Sequence, residues 1–193
     1  MEKKVQLVQE NTLYKGWSML KEYIIRYRFN DGRQADLKRE IYNSGDGAAV
    51  LLYNPVSKKI LLVRQFRLAA LLNGHPDGFI IETCAGMLDD QHPREAILRE
   101  IEEETGYRIK ELEKTGEVYA TPGAHMEKIH LYAARYDEND RVTVGGGSAE
   151  ENEEIEIIEM TFEEVRQFVA KGKWEDAKTL ILVQHGILNG WIS

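Results

Sequence analysis

Glutamates are crowded into one short stretch of this 193-residue chain, at positions 100, 102, 103 and 104. On a helix that turns about 100° per residue, Glu104 lies within about 20° of Ile97, and Glu100 is its neighbour beside the apolar stripe. Like charges three or four positions apart repel each other and destabilise a helix unless a cation neutralises them. A hard divalent cation binds carboxylates and fills its other positions with water or phosphate oxygens. The spacing therefore indicates either a cation site or an acidic helix face that is simply solvated.

Local signals define the elements that must hold these glutamates. Pro93 suits the first turn of a helix, and Gly106 can adopt the left-handed conformation that ends one. Residues 79–83 are typical of a strand, which leads into a turn at Ala85 and Gly86. The sequence therefore predicts a strand, a glycine turn and an acidic helix in succession.

Elsewhere the chain is patterned mainly as strands. We predict them over residues 21–29, 38–42, 48–53, 59–63, 116–120, 129–133 and 155–158. Residues 48–53 and 59–63 are almost continuously apolar, which predicts strands covered on both faces. Two helices close the chain, and Thr161 opens the first of them with a capping box.

The acidic stretch also matches a known signature. Residues 99–107 read REIEEETGY, and Gly86 precedes them with twelve residues between it and Arg99. This string resembles the signature box of the Nudix hydrolases, although the spacing is one residue short. The first glutamate of the box falls on His92, or on Gln91 if the gap is placed earlier. That glutamate generally braces the loop, so the departure concerns the loop more than the metal ligands.

Further segments resemble one branch of this superfamily. Residues 61–67, 73–74, 82–86 and 145–147 are similar to the nucleotide-sugar hydrolases, most closely to those that cleave GDP-mannose, and the likeness runs from about residue 17 to residue 188. It implies an α+β fold, the Nudix α/β/α sandwich with a mixed central sheet. It also implies a small N-terminal β-sheet region over residues 1–45 that makes a homodimer contact, followed by a Nudix domain over residues 46–193.

The resemblance assigns roles to specific acidic residues. The metal ligands it implies are the Ala85 carbonyl, Glu100, Glu104 and Glu153. The catalytic residues it implies are Glu103, Glu104 and Glu153, with Glu153 also a candidate general base. Glu151 is an alternative to Glu153, because the acidic loop is about two residues longer than the family pattern.

The same likeness implies a substrate-binding set drawn from several parts of the chain. Its members are Trp17, Lys38, Arg39, Glu40, Arg67, Ala85, Gly86, Met87, Glu127, Asn152, Glu153 and Lys178. Trp17 could stack on the base or be a packed aromatic residue of an ordinary hairpin. Glu127 could contact substrate or be a solvated strand end, whereas Arg67 suits a diphosphate because its planar fork makes two hydrogen bonds.

Composition limits the remaining possibilities. The net charge of -8 argues against a nucleic acid partner, which is held by clusters of Lys and Arg. Cys84 is the only cysteine, and its apolar surroundings favour a buried hydrophobic residue over a nucleophile. The sequence shows neither a signal peptide nor a transmembrane run, so we expect a cytoplasmic protein.

Together these observations predict an enzyme. The expected reaction is hydrolysis of a nucleotide-sugar diphosphate with Mg²⁺, or alternatively Mn²⁺, giving GMP and mannose 1-phosphate from GDP-mannose. Two alternatives remain at this point. One is an ADP-ribose or ADP-sugar pyrophosphatase, and the other is a Nudix-fold sensor that binds a nucleotide without cleaving it.

Overall fold

The computed structural model describes residues 4–148 and 153–193. These residues form two units. The first contains the described residues up to Asp46 together with Tyr119–Lys128, and the second contains those of Gly47–Val118 and Ile129–Ser193. The sequence-based boundary after residue 45, and the dimer contact expected before it, stay predictions.

The first unit is a three-stranded antiparallel sheet. Its strands are β1 (Val5–Lys15), β2 (Met19–Arg28) and β3 (Gln34–Asn43), in the order β1-β2-β3. The turn between β2 and β3 contains Gly32 at a φ of 88°, a backbone conformation that favours glycine. Residues 119–128 are attached to the end of β3, because Tyr42 donates its N–H to the Ala124 carbonyl at 2.8 Å and accepts from Met126 at 2.9 Å.

The second unit is organised on a seven-stranded sheet. Its strands are β4 (Gly47–Asn54), β5 (Lys59–Phe66), β6 (Phe79–Glu82), β7 (Ala85–Met87), β8 (Glu113–Tyr119), β9 (Lys128–Arg135) and β10 (Glu156–Thr161). The order is β10-β5-β4-β9-β8, with β6 paired to β5 and β7 paired to β4. Strands β4 and β9 are parallel and the β4–β5 pair is antiparallel, so the sheet is mixed, as predicted.

Helices cover this sheet on both faces. They are α1 (Leu68–Leu72), α2 (Pro93–Glu100), which continues as a π-helical turn (Ile101–Thr105), α3 (Phe162–Ala170) and α4 (Ala177–Leu188), besides a 3-10 turn (Glu138–Asp140). Every residue of β4 is buried, because alternate side chains enter two different apolar cores. Leu51 packs in the core that contains α3 and α4 residues, and Val50 packs in the core that contains Ile97 of α2. The predicted α/β/α sandwich is confirmed.

Most local signals hold these elements as the sequence predicted. Thr161 and Glu164 form the reciprocal capping box at the start of α3. The expected turn at Ala85 and Gly86 is instead the short strand β7, since both residues pair with β4. Helix α1 was also not predicted. Among the described helices, none combines the length and the apolar character needed to cross a bilayer.

Candidate active site

The acidic helix begins and ends where its sequence signals predicted. His92 caps α2 by accepting the Arg94 N–H at 3.3 Å, Pro93 follows it, and Gly106 ends the π-helical turn at a φ of 80°. The π-helical turn was not predicted, and it carries Glu103 and Glu104. Such turns within α-helices are frequently found at functional sites.

The glutamates of this helix differ in depth. Glu104 is 2% exposed, whereas the side chains of Glu100 and Glu103 are 13% and 28% exposed. Arg99 contacts both of the shallower carboxylates, donating to Glu100 at 2.7 Å and to Glu103 at 2.8 Å. These three glutamates, here called the acidic arc, are therefore packed against the protein and do not form a freely solvated face.

Strand β7 lies directly against this arc. The Ala85 N–H donates to Glu104 Oε2 at 3.3 Å. At Gly86, an added Cβ atom would lie 2.2 Å from Glu100 Oε1, so only glycine leaves room for that carboxylate. The backbone that was predicted to carry a metal-binding carbonyl thus lies beside two of the predicted side-chain ligands.

Burial and like charges together set the electrostatics of Glu104. Burial raises its pKa to about 8, and repulsion from Glu100 and Glu153 adds to the effect. Hydrogen bonds from the Cys84 thiol and the Ala85 N–H act in the opposite direction. Cys84 is buried, as predicted, and burial holds the pKa of its thiol well above the usual value. It is consequently a neutral donor and not a nucleophile.

A glycine segment brings Glu153 to this helix. Gly146 donates its N–H to the Glu104 carbonyl at 2.8 Å, and Gly147 donates to the Glu103 carbonyl at 3.2 Å. Gly147 has a φ of 87°, and an added Cβ there would lie 3.2 Å from Glu153 Oε2. Glu151, the predicted alternative to Glu153, and Asn152, a predicted substrate-binding residue, lie outside the described residues.

The donor atoms around Glu104 suit a hard divalent cation. Within residues 4–148 and 153–193, no three His, Cys, Asp or Glu side chains are arranged closely enough to hold a metal ion together. However, Glu100 and Glu153 both repel Glu104, the Glu100 carboxylate lies directly against the Gly86 backbone, and every predicted ligand atom is an oxygen. Oxygen ligands and surplus negative charge are what Mg²⁺ and similar ions require. The residues therefore fit such an ion.

Two predicted substrate-binding cations meet at a carboxylate that the sequence did not single out. Arg67 donates to both oxygens of Glu82, at 2.6 and 3.0 Å, and Lys178 donates to Glu82 Oε2. Burial favours a raised pKa for Glu82, but the Arg67 hydrogen bond and the Lys178 charge outweigh it, so the pKa lies below its usual value. Glu82 is therefore ionised and binds both cations as a salt bridge.

All but one of the remaining predicted contacts belong to the first unit. Trp17 is 78% exposed in the loop between β1 and β2. In β3, Lys38 pairs with Glu22, and Arg39 donates to the Lys38 carbonyl at 2.7 Å. Glu40 follows them in the same strand, and Glu127 lies in the segment attached to its end. Met87, in the second unit, ends β7. Their roles in binding stay predictions.

Comparison with known proteins places this arrangement in a family. The NUDIX domain matches residues 43–183 of the chain. The chain belongs to the Nudix family. A GDP-mannose pyrophosphatase of Cronobacter sakazakii is 46% identical over 186 residues, covering 96% of both chains. One of Pectobacterium atrosepticum is 39% identical over 193 residues, covering 100% of this chain and 99% of the relative.

The fold agrees with a solved structure. A crystal structure of an ADP compounds hydrolase has a TM-score of 0.71 and covers 98% of this chain and 95% of its own, at 14% sequence identity. At that identity the likeness concerns the Nudix fold alone.

The loop of the shortened Nudix box contains two aspartates with positive φ values. Asp89 and Asp90 have φ values of 45° and 64°, in the left-handed region that aspartate tolerates better than most residues. His92, one of the two positions on which the first glutamate of the box could fall, acts as the helix cap. The loop therefore joins β7 to the Nudix helix with one residue fewer.

Glu82 is the main site residue that sequence reasoning missed. It ends β6, where it follows three apolar residues, and it is 3% exposed. A buried carboxylate needs a partner of opposite charge, so a glutamate directly after three apolar strand residues was a signal. Its partners could not be predicted, because Lys178 is 96 residues away in sequence.

Proposed function

We propose that this chain hydrolyses GDP-mannose to GMP and mannose 1-phosphate in the presence of Mg²⁺. The reaction class is supported chiefly by one observation, the burial of Glu104 among like charges on the Nudix helix. The choice of substrate is supported by relatives that are named GDP-mannose pyrophosphatases and are 39% and 46% identical over nearly the whole chain.

The cation site would be formed by oxygen ligands alone. Glu100, Glu104, Glu153 and the Ala85 carbonyl would hold the ion. When bound, a divalent cation offsets the charge of the phosphate oxygens and lowers the pKa of a coordinated water. Hard carboxylate and carbonyl oxygens suit Mg²⁺, the proposed ion, and Mn²⁺ binds the same class of ligand, so the assay below compares the two.

The chain's own residues would position the substrate and move the proton. Arg67 and Lys178 would bind the diphosphate oxygens through N–H donors. Glu153, or Glu151, would accept a proton from the attacking water, and Glu103 would orient the water molecules of the site. Water would add to one phosphorus, the bridging P–O bond would break, and the two monophosphates would leave.

The first unit would contribute recognition of the nucleotide and the dimer contact. Trp17 would stack on the base, and Lys38, Arg39, Glu40 and Glu127 would contact the nucleotide. Ala85, Gly86, Met87 and Asn152 complete the proposed substrate-binding set. We further propose that the enzyme acts in the cytoplasm as a homodimer.

A substrate panel tests the proposal. GDP-mannose, other GDP-sugars, ADP-ribose and ADP-glucose are each incubated with Mg²⁺ or Mn²⁺, and released monophosphate is measured. We expect the highest kcat/KM for GDP-mannose with Mg²⁺. Faster cleavage of an ADP compound would replace GDP-mannose as the substrate, and binding without any product would favour the sensor.

A pair of helix variants tests the role of the buried carboxylate. Glu104→Gln should lower kcat at least about 100-fold, because a neutral amide cannot replace the charge of a metal ligand. Glu102→Gln is the matched control, since Glu102 pairs with Arg108 on the exposed side of the same helix. Wild-type turnover by Glu104→Gln would contradict the proposed metal site.

A further inference from the structure

Glu82 is a buried carboxylate whose strongest contacts all lead to cations. Its side chain is 4% exposed and accepts hydrogen bonds from both Arg67 and Lys178. Burying a carboxylate costs several kcal/mol unless its charge is paired, so an apolar residue would be the simpler choice for a purely structural position. The arrangement instead fixes two cations at one point.

The contact with Arg67 uses only one edge of the guanidinium. Glu82 accepts from Nε at 2.6 Å and from Nη2 at 3.0 Å. Of the five N–H donors of an arginine, this pairing takes two and leaves those at the far end of the planar fork. The Arg67 side chain remains 42% exposed. The free end can therefore present two parallel donors to a phosphate group.

Lys178 is held from two sides. It donates to Glu82 and, at 2.9 Å, to Asp176 Oδ1, which leaves one of its three N–H donors. Asp176 is itself fixed, because its other oxygen caps α4 by accepting the Thr179 N–H at 2.9 Å. The two carboxylates therefore fix the orientation of the Lys178 ammonium group.

The same short segment continues into the acidic site. The Thr83 N–H donates to Thr179 Oγ1 at 2.8 Å, which joins the end of β6 to α4. Two residues later, the Ala85 N–H contacts Glu104. Residues 82–85 thus connect the paired cations to the carboxylate of the Nudix helix through continuous backbone.

We propose that Glu82 is a positioning residue, which orients the free donors of Arg67 and Lys178 toward the diphosphate of the substrate. The inference rests on the proposed function and extends it to a residue that does not touch the reacting atoms. Glu82 acts through the two cations. Without its carboxylate, the Arg67 side chain would be free to rotate, and Lys178 would be held by Asp176 alone.

Substitutions at Glu82 test this role through kinetics. Glu82→Gln should lower kcat/KM for GDP-mannose about 100-fold, and Glu82→Asp, which keeps the charge but shortens the reach, about 10-fold. Glu159→Gln is the control, because Glu159 also pairs with a lysine, Lys59 at 2.6 Å, outside the proposed site. Thermal melting of each variant identifies any loss that is due to unfolding. If Glu82→Gln does not fold, Glu82→Asp supplies the same comparison.

Chemical rescue separates positioning from a structural role. In Arg67→Ala, added guanidinium should recover at least about 10-fold of the lost activity, because Glu82 remains to bind it. In the double variant Arg67→Ala with Glu82→Gln, we expect no recovery. Equal recovery in both backgrounds, or unchanged kcat/KM in both single Glu82 variants, would overturn the inference.

A binding measurement keeps the inference distinct from the proposed function. Inorganic diphosphate is titrated calorimetrically into the wild type and both Glu82 variants with Mg²⁺ present. We expect its affinity to fall at least about 10-fold in Glu82→Gln. That result would support the inference even if no nucleotide sugar were cleaved, whereas unchanged affinity would contradict it.

Discussion

At Glu104 a carboxyl group is kept out of water and close to other carboxylates. Burial, with help from Glu100 and Glu153, raises its pKa to about 8. In the absence of a cation, the folded chain therefore holds a proton that the unfolded chain releases at a lower pH. Folding and proton binding are linked at this residue.

The sign of this linkage gives a pH dependence for the metal-free protein. Because the folded state binds the extra proton, the free energy of unfolding should fall as the pH rises from about 4.5 to about 8. The loss should be on the order of a few kcal/mol, since one pKa unit corresponds to about 1.4 kcal/mol. Urea unfolding in EDTA at several pH values measures it.

Two comparisons isolate Glu104 from other titrating groups. Glu104→Gln, which stays neutral, should remove most of this slope while the histidines still titrate. Added Mg²⁺ should flatten the slope in the wild type, because a cation favours the ionised carboxylate. An identical slope in wild type and variant would rule out Glu104 as its source.

Among the elements, those defined by local chemistry were predicted well. The acidic helix begins at Pro93 and ends at Gly106, and Thr161 caps α3. The apolar run 48–53 is a strand buried on both faces. The π-helical turn and strand β7 were missed. Both depend on partners distant in sequence, namely the Gly146 N–H on the Glu104 carbonyl and the pairing of Ala85 with β4. Periodicity within a segment does not contain such contacts.

The approach of β7 to the Nudix helix can be tested at Gly86. An added methyl group would lie 2.2 Å from Glu100 Oε1, so the flexible Glu100 side chain must move away. Gly86→Ala should therefore lower kcat about 100-fold or more, while melting changes little because the three nearest atoms all belong to the Glu100 side chain. Activity and the Mg²⁺ concentration for half-maximal rate are the measurements.

Another glycine provides the control for this steric argument. Gly116 lies in strand β8 and has no atom within 4 Å of an added Cβ. Gly116→Ala should keep wild-type activity. A Gly86→Ala enzyme that matched it would show that Glu100 can be displaced without loss.

For the whole molecule, the sequence predicted the architecture better than the connections across it. The mixed sheet between two helical layers and the N-terminal sheet were both expected and are present. The grouping of Tyr119–Lys128 with the first unit was not expected, because it rests on contacts with β3 far away in sequence. The salt bridges of Arg67 and Lys178 to Glu82 could likewise not be predicted, because they also join residues far apart in sequence.

Exposed apolar side chains on β1 lead to a prediction about assembly. Val5, Leu7 and Leu13 are all exposed, although apolar residues on a surface strand favour burial against a partner. Leu7→Glu should shift the proposed homodimer toward monomer, as measured by analytical ultracentrifugation over a range of concentrations. Gln6→Glu adds the same charge on the opposite face of the strand and should have the smaller effect. A wild-type chain that is monomeric at all concentrations would contradict the prediction.

The cluster at Glu82 has a consequence for the order of events. It contains two cations, Arg67 and Lys178, and two carboxylates, Glu82 and Asp176, so its formal charges cancel. Beside it lie Glu104 and the two carboxylates that repel it. A polyanionic nucleotide would therefore gain little net attraction from these groups until a divalent cation has bound. Catalysis should accordingly follow a compulsory sequence, with the ion arriving before the nucleotide and the enzyme idle at low magnesium however much nucleotide is supplied.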